Sequence, residues 1–323
     1  FSTSIPANLA QLFPEPSGVE RSGSLRSPSP EMFTKKKIDW GAYFYLVPVF
    51  GILLCFHILP IFYSLALSFY RWDLIGEAEW VGLDNFAKLF DDPMFYKSLV
   101  NTFYYAIVSV PLSIGCSMTI ALLLNNPISG IGIYRTIYFL PVITSLNAVS
   151  IVWNFIYHPD YGLLNKLLAL VSLPPQLWLQ DPFWAMPCII LMSVWKGLGY
   201  NVIIFLAGLQ NIPKHLYEAA RIDGATWIQQ FRHITFPLLS PTTFFVFVMS
   251  TIGSFQVFSQ IYMMTPRGGP LKSTLVIVYY LYQKAFEKFE FGYALAIAFV
   301  LFIMIFSMTL FNKLYVEKKV HYS

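Results

Sequence analysis

The stretch that decides the fold is residues 216–241, which read Leu-Tyr-Glu-Ala-Ala-Arg-Ile-Asp-Gly-Ala-Thr-Trp-Ile-Gln-Gln-Phe-Arg-His-Ile-Thr-Phe-Pro-Leu-Leu-Ser-Pro. Within a few turns it gathers five ionisable side chains: Glu218, Arg221, Asp223, Arg232 and His233. On both sides the chain is apolar over lengths that suit a lipid bilayer as its solvent. The stretch is therefore a polar island between membrane-spanning regions.

Two short helices joined at a glycine are predicted within this island. Pro213 suits the first turn of a helix because it has no N–H to leave unpaired, and residues 214–222 mostly tolerate helix. Gly224 is expected to end that helix, in a turn where a side chain would be strained if φ is positive. Thr226 and Gln229 have the spacing of a capping box, which predicts the start of a second helix.

The second helix carries an aromatic and aliphatic face. Trp227, Phe231 and Ile234 fall on one side of it, and Pro237 is expected to end it. The two helices together would form a compact hairpin with an acidic residue on its first half. Spacing alone leaves two interpretations open: an amphipathic hairpin lying in the membrane interface, and a knob that docks on a partner protein.

The island also resembles a known motif. Glu218-Ala219-Ala220, Asp223-Gly224-Ala225, Phe231, Ile234, Phe236-Pro237 and Pro241 are similar to the EAA loop of binding-protein-dependent ABC importer permeases. That family usually has leucine where this chain has Phe236, which is a conservative apolar difference. In the family the loop seats in a cleft on a cytosolic ATPase subunit. The residues that the resemblance implies for ATPase coupling are Glu218, Ala219, Ala220, Asp223, Gly224, Ala225, Trp227 and Phe231.

Composition indicates a polytopic membrane protein. Of 323 residues, 56% are hydrophobic and only 12% are charged, which is too little polar surface to cover a soluble globule of this size. The net charge of +4 requires no nucleic-acid partner. Cys55, Cys116 and Cys188 all fall in apolar runs, and the histidines have no ligand spacing, so neither disulfides nor a metal site is expected.

Six apolar runs are long enough to cross a bilayer, which predicts an all-α fold with six transmembrane helices. The predicted spans are about 43–69, 99–124, 136–157, 183–206, 242–264 and 291–314. Residues 1–38, rich in Ser, Pro and charge, are expected to form a flexible tail, and residues 39–323 the transmembrane permease domain with a coupling loop at 207–241. Met32 before three lysines suggests the hypothesis that residues 1–31 are an extension.

The distribution of basic residues predicts the topology. Lys35–Lys37 precede the first span and Lys313–Lys319 follow the last, which places both termini in the cytoplasm of a multi-pass inner-membrane protein. The polar island is then cytoplasmic, and the segments Arg71–Lys97, His158–Pro182 and Thr265–Glu290 are external. The last of these is long enough to fold against the outer mouth of the bundle.

Smaller motifs extend the resemblance over residues 39–323. They are Trp80-Val-Gly-Leu-Asp-Asn-Phe86, Asn101-Thr102, Tyr134-Arg135, Phe139-Leu-Pro141, Gly162-Leu-Leu-Asn165, Gly268-Gly-Pro270 and Phe291-Gly-Tyr293. In this order they are similar to the carbohydrate-uptake branch, which includes the maltose, trehalose and glycerol-phosphate importers. The resemblance implies inward transport of a di- or oligosaccharide or glycosylated polyol, with glycerol-phosphate-like cargo as an alternative. It also implies a second permease subunit, two ATP-binding subunits and an external solute-binding protein.

No energy source is visible in the chain itself. It has no hydrolytic constellation and no nucleotide-binding signature, so no catalytic site and no cofactor are expected in this chain, with ATP and Mg in the partner ATPase subunits. A gradient-driven transporter would need carboxylates inside its spans, whereas Glu290 and Glu317 lie only near the ends of the last one. Two alternatives stay open: a gradient-driven secondary transporter and a membrane scaffold that recruits a soluble protein.

Lys196 is the anomaly among the spans, because one uncompensated lysine in mid-bilayer costs about 3 kcal/mol. It either reaches water or a backbone carbonyl, or it contacts cargo. Matching offsets from the EAA loop imply cargo contacts at Lys196, Gly197, Tyr200, Ser250, Ser254 and Val257. The sugar-binding chemistry of aromatic, hydroxyl and amide groups adds Asn201 and Gln256, and the third span adds Asn147. Lys196 and Val257 depart from the family, so the pocket's polarity, or which of the two permeases carries it, stays open.

Overall fold

The computed structural model describes residues 40–126 and 129–316. The predicted tail, the hypothesis about residues 1–31 and most of the basic clusters at the termini lie outside them. The chain divides at Phe56 into two compact units. In the first, helix α1 (Trp40–Leu53) is apolar and its described side chains are exposed. A stretch of membrane length, Phe44–Leu67, begins in this unit.

In the described part of the second unit, the regular elements are helices and one short antiparallel pair, Tyr70–Arg71 (β1) with Glu79–Trp80 (β2). Its α-helices in chain order are α2 (Leu59–Leu67), α3 (Asp84–Phe90), α4 (Pro93–Leu124), α5 (Ile131–Ile143), α6 (Leu146–Ile156), α7 (Leu163–Leu170), α8 (Ala185–Gln210), α9 (Lys214–Ile222), α10 (Trp227–Gln230), α11 (Phe236–Leu238), α12 (Ser240–Phe255), α13 (Ser259–Met264), α14 (Ile277–Tyr282) and α15 (Phe291–Phe311). The predicted all-α class is confirmed.

Four helical stretches among the described residues are long and apolar enough to cross a membrane singly: Phe44–Leu67, Pro93–Leu124, Ala185–Gln210 and Phe291–Tyr315. Two bent helix pairs among these residues would raise the number to six if each pair forms one span. At 1.5 Å per residue, the 32-residue helix α4 is about 48 Å long and exceeds the hydrocarbon thickness. It begins at Pro93, directly after the N-cap residue Asp92, and therefore starts earlier than the predicted span 99–124.

The interval predicted as the third span, 136–157, contains two helices that meet at an angle of 102°. Helix α5 ends at Ile143 and α6 begins at Leu146. Pro141 lies in the last turn of α5 and cannot donate a backbone hydrogen bond there, which weakens the helix just before the bend. Only the small polar residues Thr144 and Ser145 mark the bend, which is too short an interruption for hydropathy to indicate it.

The second bend lies between the hairpin and the fifth span. Residues Trp227–Leu238 are helical and meet α12 at 64°. The helical run ends at Leu238, one residue after the end predicted at Pro237, and a wide π turn at Phe231–Thr235 precedes the proline. The predicted span 242–264 is also interrupted, since α12 ends at Phe255 and α13 begins at Ser259.

Two apolar clusters hold the second unit together. The larger joins the first half of α8 to α6, α13, α14 and α15, with Ile189, Ile261 and Ile297 fully buried. The smaller joins the ends of α4 and α8 to α12, with Ala121, Phe205 and Leu239 fully buried. Because α4 and α8 pass through both clusters, they connect the two ends of the bundle.

Candidate functional site

The polar hairpin, residues Lys214–Leu238, folds locally as its sequence predicts. Helix α9 spans Lys214–Ile222, and Gly224 follows with φ +76°. No atom lies within 4 Å of the position that a Cβ on Gly224 would occupy, so backbone strain alone would oppose a side chain there. The capping box is confirmed: the Thr226 N–H donates to Gln229 Oε1 at 2.7 Å, and the Gln229 N–H donates to Thr226 Oγ1 at 3.4 Å.

One face of the hairpin is anchored to the membrane helices. Tyr217, Phe231 and Ile234 pack against the smaller apolar cluster at the ends of α4 and α8. The hydroxyls of Tyr217 and Thr235 share a hydrogen bond of 2.9 Å, which joins the two halves of the hairpin. Phe231, expected as a contact for a partner, thus packs largely within the chain and stacks on Trp227 with 6.2 Å between ring centroids.

The other face is exposed and apolar. Ile222, Trp227 and Ile228 are 87%, 72% and 67% exposed. Glu218 and Asp223 are also exposed, and neither has an ionic partner among the described residues. The remaining predicted coupling residues are the small Ala219, which is exposed, and Ala220 and Ala225, which are half-buried. One face of the hairpin is therefore fixed to the membrane helices, and the other exposes apolar side chains and two carboxylates that have no ionic partner among the described residues.

A second candidate site is the membrane cavity, of about 320 Å³, between α4, α8 and α12. It brings together five of the residues predicted to contact cargo: Gly197, Tyr200, Asn201, Ser250 and Ser254. Tyr200 is 53% exposed, so the cavity opens at the surface of the described chain.

The remaining predicted cargo contacts lie elsewhere. Lys196 does not line the cavity, and its ammonium donates to the Val142 carbonyl at 3.0 Å. That carbonyl belongs to the last turn of α5, where no helical N–H is available to it, so Lys196 caps the helix at the bend. Val257 is buried, whereas Asn147 and Gln256 are exposed outside the cavity.

Sequence reasoning missed the contribution of α4 to this cavity. Tyr105, Ser109 and Ser113 line it at four-residue spacing, which puts them on one helical face. Asn201 Nδ2 donates to Ser113 Oγ at 3.0 Å, joining this face to α8. The repeated hydroxyls in an otherwise apolar span were the available signal. Ser193 also lines the cavity, and no lining side chain is charged.

Comparison with known proteins identifies the family of the chain. Residues 94–321 match the family model described as binding-protein-dependent transport system inner membrane component. This chain belongs to that family. It is therefore an inner-membrane component of a transport system that depends on a binding protein.

Named relatives agree with the family match. The chain is similar to the probable ABC transporter permease YesP of Bacillus subtilis (strain 168), with 42% identity over 279 residues that cover 85% of this chain and 90% of that protein. It is 37% identical to the lactose transport permease LacF of Rhizobium radiobacter, covering 84% and 92%. It is 34% identical to the sn-glycerol-3-phosphate permease UgpA of Agrobacterium fabrum, covering 87% and 96%.

A solved structure supports the fold. A chain of a bacterial ABC transporter involved in import of the acidic polysaccharide alginate matches with a TM-score of 0.75 and 26% identity. The match covers 85% of this chain and 94% of that one. The same type of transporter was solved in complex with its alginate-bound periplasmic protein.

The smaller motifs of this inner-membrane component are mainly structural. Asn85 donates to the carbonyls of Ser68 and Tyr70 at 2.8 and 2.9 Å, and a Cβ on Gly292 would lie 1.8 Å from the Tyr70 oxygen. Asn101 donates to the carbonyls of Lys272 and Leu275, each at 2.9 Å. The Asn101 contacts hold the segment 265–290 against the first half of α4, while the prediction that this segment is external stays a prediction.

At that same end of α4 lies a satisfied polar cluster, called the capping cluster below. Its members are Lys88, Asp92, Tyr280, Lys284, Glu290 and Tyr293. Asp92 accepts hydrogen bonds from the hydroxyls of Tyr280 and Tyr293, the latter at 2.7 Å. Glu290 accepts from Lys88 at 2.9 Å and from Lys284 at 3.2 Å. Lys284 is only 6% exposed and lies over the Tyr293 ring.

The electrostatics of this cluster favour its charged carboxylates. Burial raises the pKa of Asp92, but hydrogen bonds from Tyr280, Tyr293 and backbone N–H groups outweigh burial and hold the pKa below its ordinary value. Burial likewise raises the pKa of Glu290, and Lys88 and Lys284 outweigh it, so this pKa is also lowered. The cluster therefore stabilises the fold in its ionised state.

Proposed function

We propose that this chain is the permease subunit of an ABC importer that moves a neutral carbohydrate inward and is powered by ATP hydrolysis in partner subunits. The observation that carries the proposal is the polar hairpin, which is anchored to α4 and α8 on one face and exposed on the other. A partner that pushes on Trp227 would move both helices, because Phe231 transmits the contact to their ends.

The hairpin surface has the properties of a docking site for an ATPase subunit. Large aromatic side chains such as Trp227 dominate the energy of protein interfaces when they enter a pocket on the partner. Glu218 and Asp223 can pair with cations or helix N-termini of that partner. A hairpin that only lay in the membrane interface would place these two carboxylates beside lipid headgroups, many of which are anionic in bacteria.

The topology follows from this assignment. If the hairpin meets an ATPase, it lies in the cytoplasm, and so do both termini, while the capping cluster lies outside. The partners are a second permease subunit, two ATP-binding subunits and an external solute-binding protein. A second permease is needed because the membrane cavity is open beside Tyr200, so a sister subunit would close the path. This chain supplies no catalytic site of its own.

The lining of the membrane cavity favours neutral sugars as cargo. Aromatic rings, hydroxyls and an amide are the groups that hold carbohydrates, and Tyr200, Asn201 and Ser254 provide them. The relatives include a lactose permease, which supports the same class. Glycerol-phosphate-like cargo is the second candidate, favoured by the UgpA relative. It fits the cavity less well, because no cation lines the wall and Lys196, which lies outside it, is engaged with the Val142 carbonyl.

The test is transport by the assembly reconstituted in vesicles with its second permease, ATPase subunits and solute-binding protein. ATP-dependent sugar uptake is expected, and Tyr200→Ala should lower it at least tenfold while leaving assembly intact. Tyr104→Ala is the matched control, since Tyr104 is similarly exposed on α4 but does not line the cavity. Uptake that persists without ATP and collapses with an uncoupler would refute the proposed energy source.

A further inference from the structure

A lateral groove of about 510 Å³ lies between α5 and α8, apart from the membrane cavity. Most of its wall is apolar and open to the surface, with Leu140, Ile143 and Ile203 exposed by 56%, 68% and 44%. No carboxylate lines it. Nothing in the assigned function uses this groove, because it contains neither hairpin residues nor cavity residues.

The groove is built by a close antiparallel contact of two helices. A Cβ on Gly199 would lie 2.3 Å from the Tyr138 carbonyl oxygen, so α5 and α8 approach here as only glycine allows. Four residues on along α5, the Val142 carbonyl accepts from Lys196, which fixes the antiparallel register. The groove lies alongside this fixed contact, so its walls are held in place.

Arg135 is the one charged residue in the groove wall. It lies just after the first turn of α5 and is exposed, and it has no hydrogen-bond or ionic partner among the described residues. The nearby polar lining consists of Thr136 and Gln210, which are neutral. Thr136 is itself engaged, since its hydroxyl donates to the Gly132 carbonyl at 3.0 Å. A guanidinium at a membrane helix without a partner is costly and requires an anion or water.

We propose that the lateral groove binds an anionic phospholipid, with its phosphate on Arg135 and an acyl chain along Leu140, Ile143 and Ile203. The guanidinium fork matches a phosphate better than any other side chain does. Basic pockets between transmembrane helices are known to select anionic headgroups.

Charge and shape favour lipid over a protein segment as the occupant. A helical segment pairs its own backbone groups, but an apolar helix would leave the Arg135 guanidinium without an anion. An extended polypeptide in this groove would bring backbone groups that need hydrogen-bond partners, and an apolar wall offers few. An acyl chain needs none. An anionic headgroup supplies the negative charge that the wall lacks.

The experiment measures lipid binding to the whole purified assembly by native mass spectrometry. Phosphatidylglycerol is the probe, and phosphatidylcholine with the same acyl chains is the neutral reference. Arg135→Gln should weaken phosphatidylglycerol binding about fivefold, the effect of one cation near an anionic headgroup, and Arg135→Lys should restore most of it. Lys313→Gln is the matched control, because Lys313 is an exposed cation near the end of the last span that does not line the groove.

A second variant tests the apolar wall separately. Ile203→Trp fills the groove while keeping Arg135, and it should also weaken phosphatidylglycerol binding. The inference is overturned if Arg135→Gln and Lys313→Gln behave alike or if phosphatidylcholine binds as tightly as phosphatidylglycerol. It is also overturned if a thiol cross-linker joins Arg135→Cys to the sister permease. Sugar uptake is measured in parallel, so a failure of the proposed transport is distinguished from a failure of the lipid site.

Discussion

The two ends of helix α4 differ in whether the nearby polar groups have partners within the chain. At its start, the capping cluster pairs Asp92 with two tyrosines and Glu290 with two lysines, all within one chain. At its other end, the polar hairpin exposes Trp227 and two carboxylates that have no ionic partner among the described residues. The polar groups of the first end are paired within this subunit, whereas the second end presents an exposed surface on which we expect a partner protein to dock.

Substitutions at the two ends should therefore change different properties: the stability of the fold at the start of α4, and the coupling to the ATPase at the hairpin. Changes in the capping cluster should alter the free energy of unfolding, because they leave buried polar groups unpaired. Changes on the exposed face of the hairpin should alter binding of the ATPase and leave unfolding almost unchanged, because surface substitutions away from packed features cost little.

The largest effect on stability is expected for Asp92→Ala. It removes the side-chain cap of α4, which accepts from the Met94 N–H at 2.9 Å, and leaves the hydroxyls of Tyr280 and Tyr293 without their acceptor. A loss of about 3 kcal/mol follows from one cap and the unpaired hydroxyls. Thermal unfolding of the purified assembly measures it. Asp92→Asn, which keeps an acceptor oxygen, should lose less, and equal midpoints for all three proteins would contradict the account.

The counterpart at the hairpin is Trp227→Ala. Loss of an interface anchor should weaken ATPase binding by about 2 kcal/mol, a factor of roughly 30, while the unfolding midpoint stays the same. Affinity is measured by titrating the ATPase subunit onto the permease pair in nanodiscs. Trp184→Ala, at a partly exposed tryptophan far from the hairpin, is the control. If Trp227→Ala lowers stability and not affinity, the contrast between the two ends is lost.

A smaller effect is expected at the hairpin turn. Gly224→Val forces a β-branched residue into positive φ and costs about 1–2 kcal/mol. The strain should displace α9 from α10, so ATP hydrolysis continues while uptake falls. Gly224→Asn is the matched control, since asparagine tolerates this conformation. Full coupling in the valine variant would show that the turn does not set the hairpin geometry.

The smallest effect is a dependence on pH. Asp92 and Glu290 have pKa values below their ordinary 3.8 and 4.5. Their contribution to the free energy of unfolding is therefore complete above the ordinary values and is lost as the pH falls through the lowered ones. The thermal unfolding midpoint of the wild-type assembly should therefore decrease as the pH is lowered below about 4.5. The decrease of the midpoint with pH should be smaller in Asp92→Asn. A midpoint independent of pH down to pH 3 would contradict the pairing.

The sequence predicted the hairpin well, because its signals are local. Gly224, Thr226 and Gln229 act within a few residues of one another, and their geometry needs no tertiary contact. The resemblance to a permease motif was equally local and gave the family. By contrast, the predicted domain boundary and the roles of the site residues stay predictions.

What the sequence did not predict depends on distant contacts. Asp92 meets Tyr280 and Tyr293, which lie 188 and 201 residues away, and no spacing rule links them. The hydroxyls on one face of α4 gave a sequence signal, but that they face Asn201 across the cavity depends on a contact 88 residues apart. Lys196 shows the same limit, since a lysine in an apolar run gives no sign that its partner is the carbonyl of Val142.

The central claim is that the hairpin faces the cytoplasm and is covered by an ATPase subunit. Ile222→Cys places a thiol at a position of the hairpin where the native side chain is 87% exposed. The parent protein, which contains Cys55, Cys116 and Cys188, serves as the blank. A membrane-impermeant thiol reagent should label this variant in inside-out vesicles stripped of ATPase, and adding the ATPase subunit should protect it. Labelling from outside intact cells, or labelling that the ATPase does not reduce, would contradict the account.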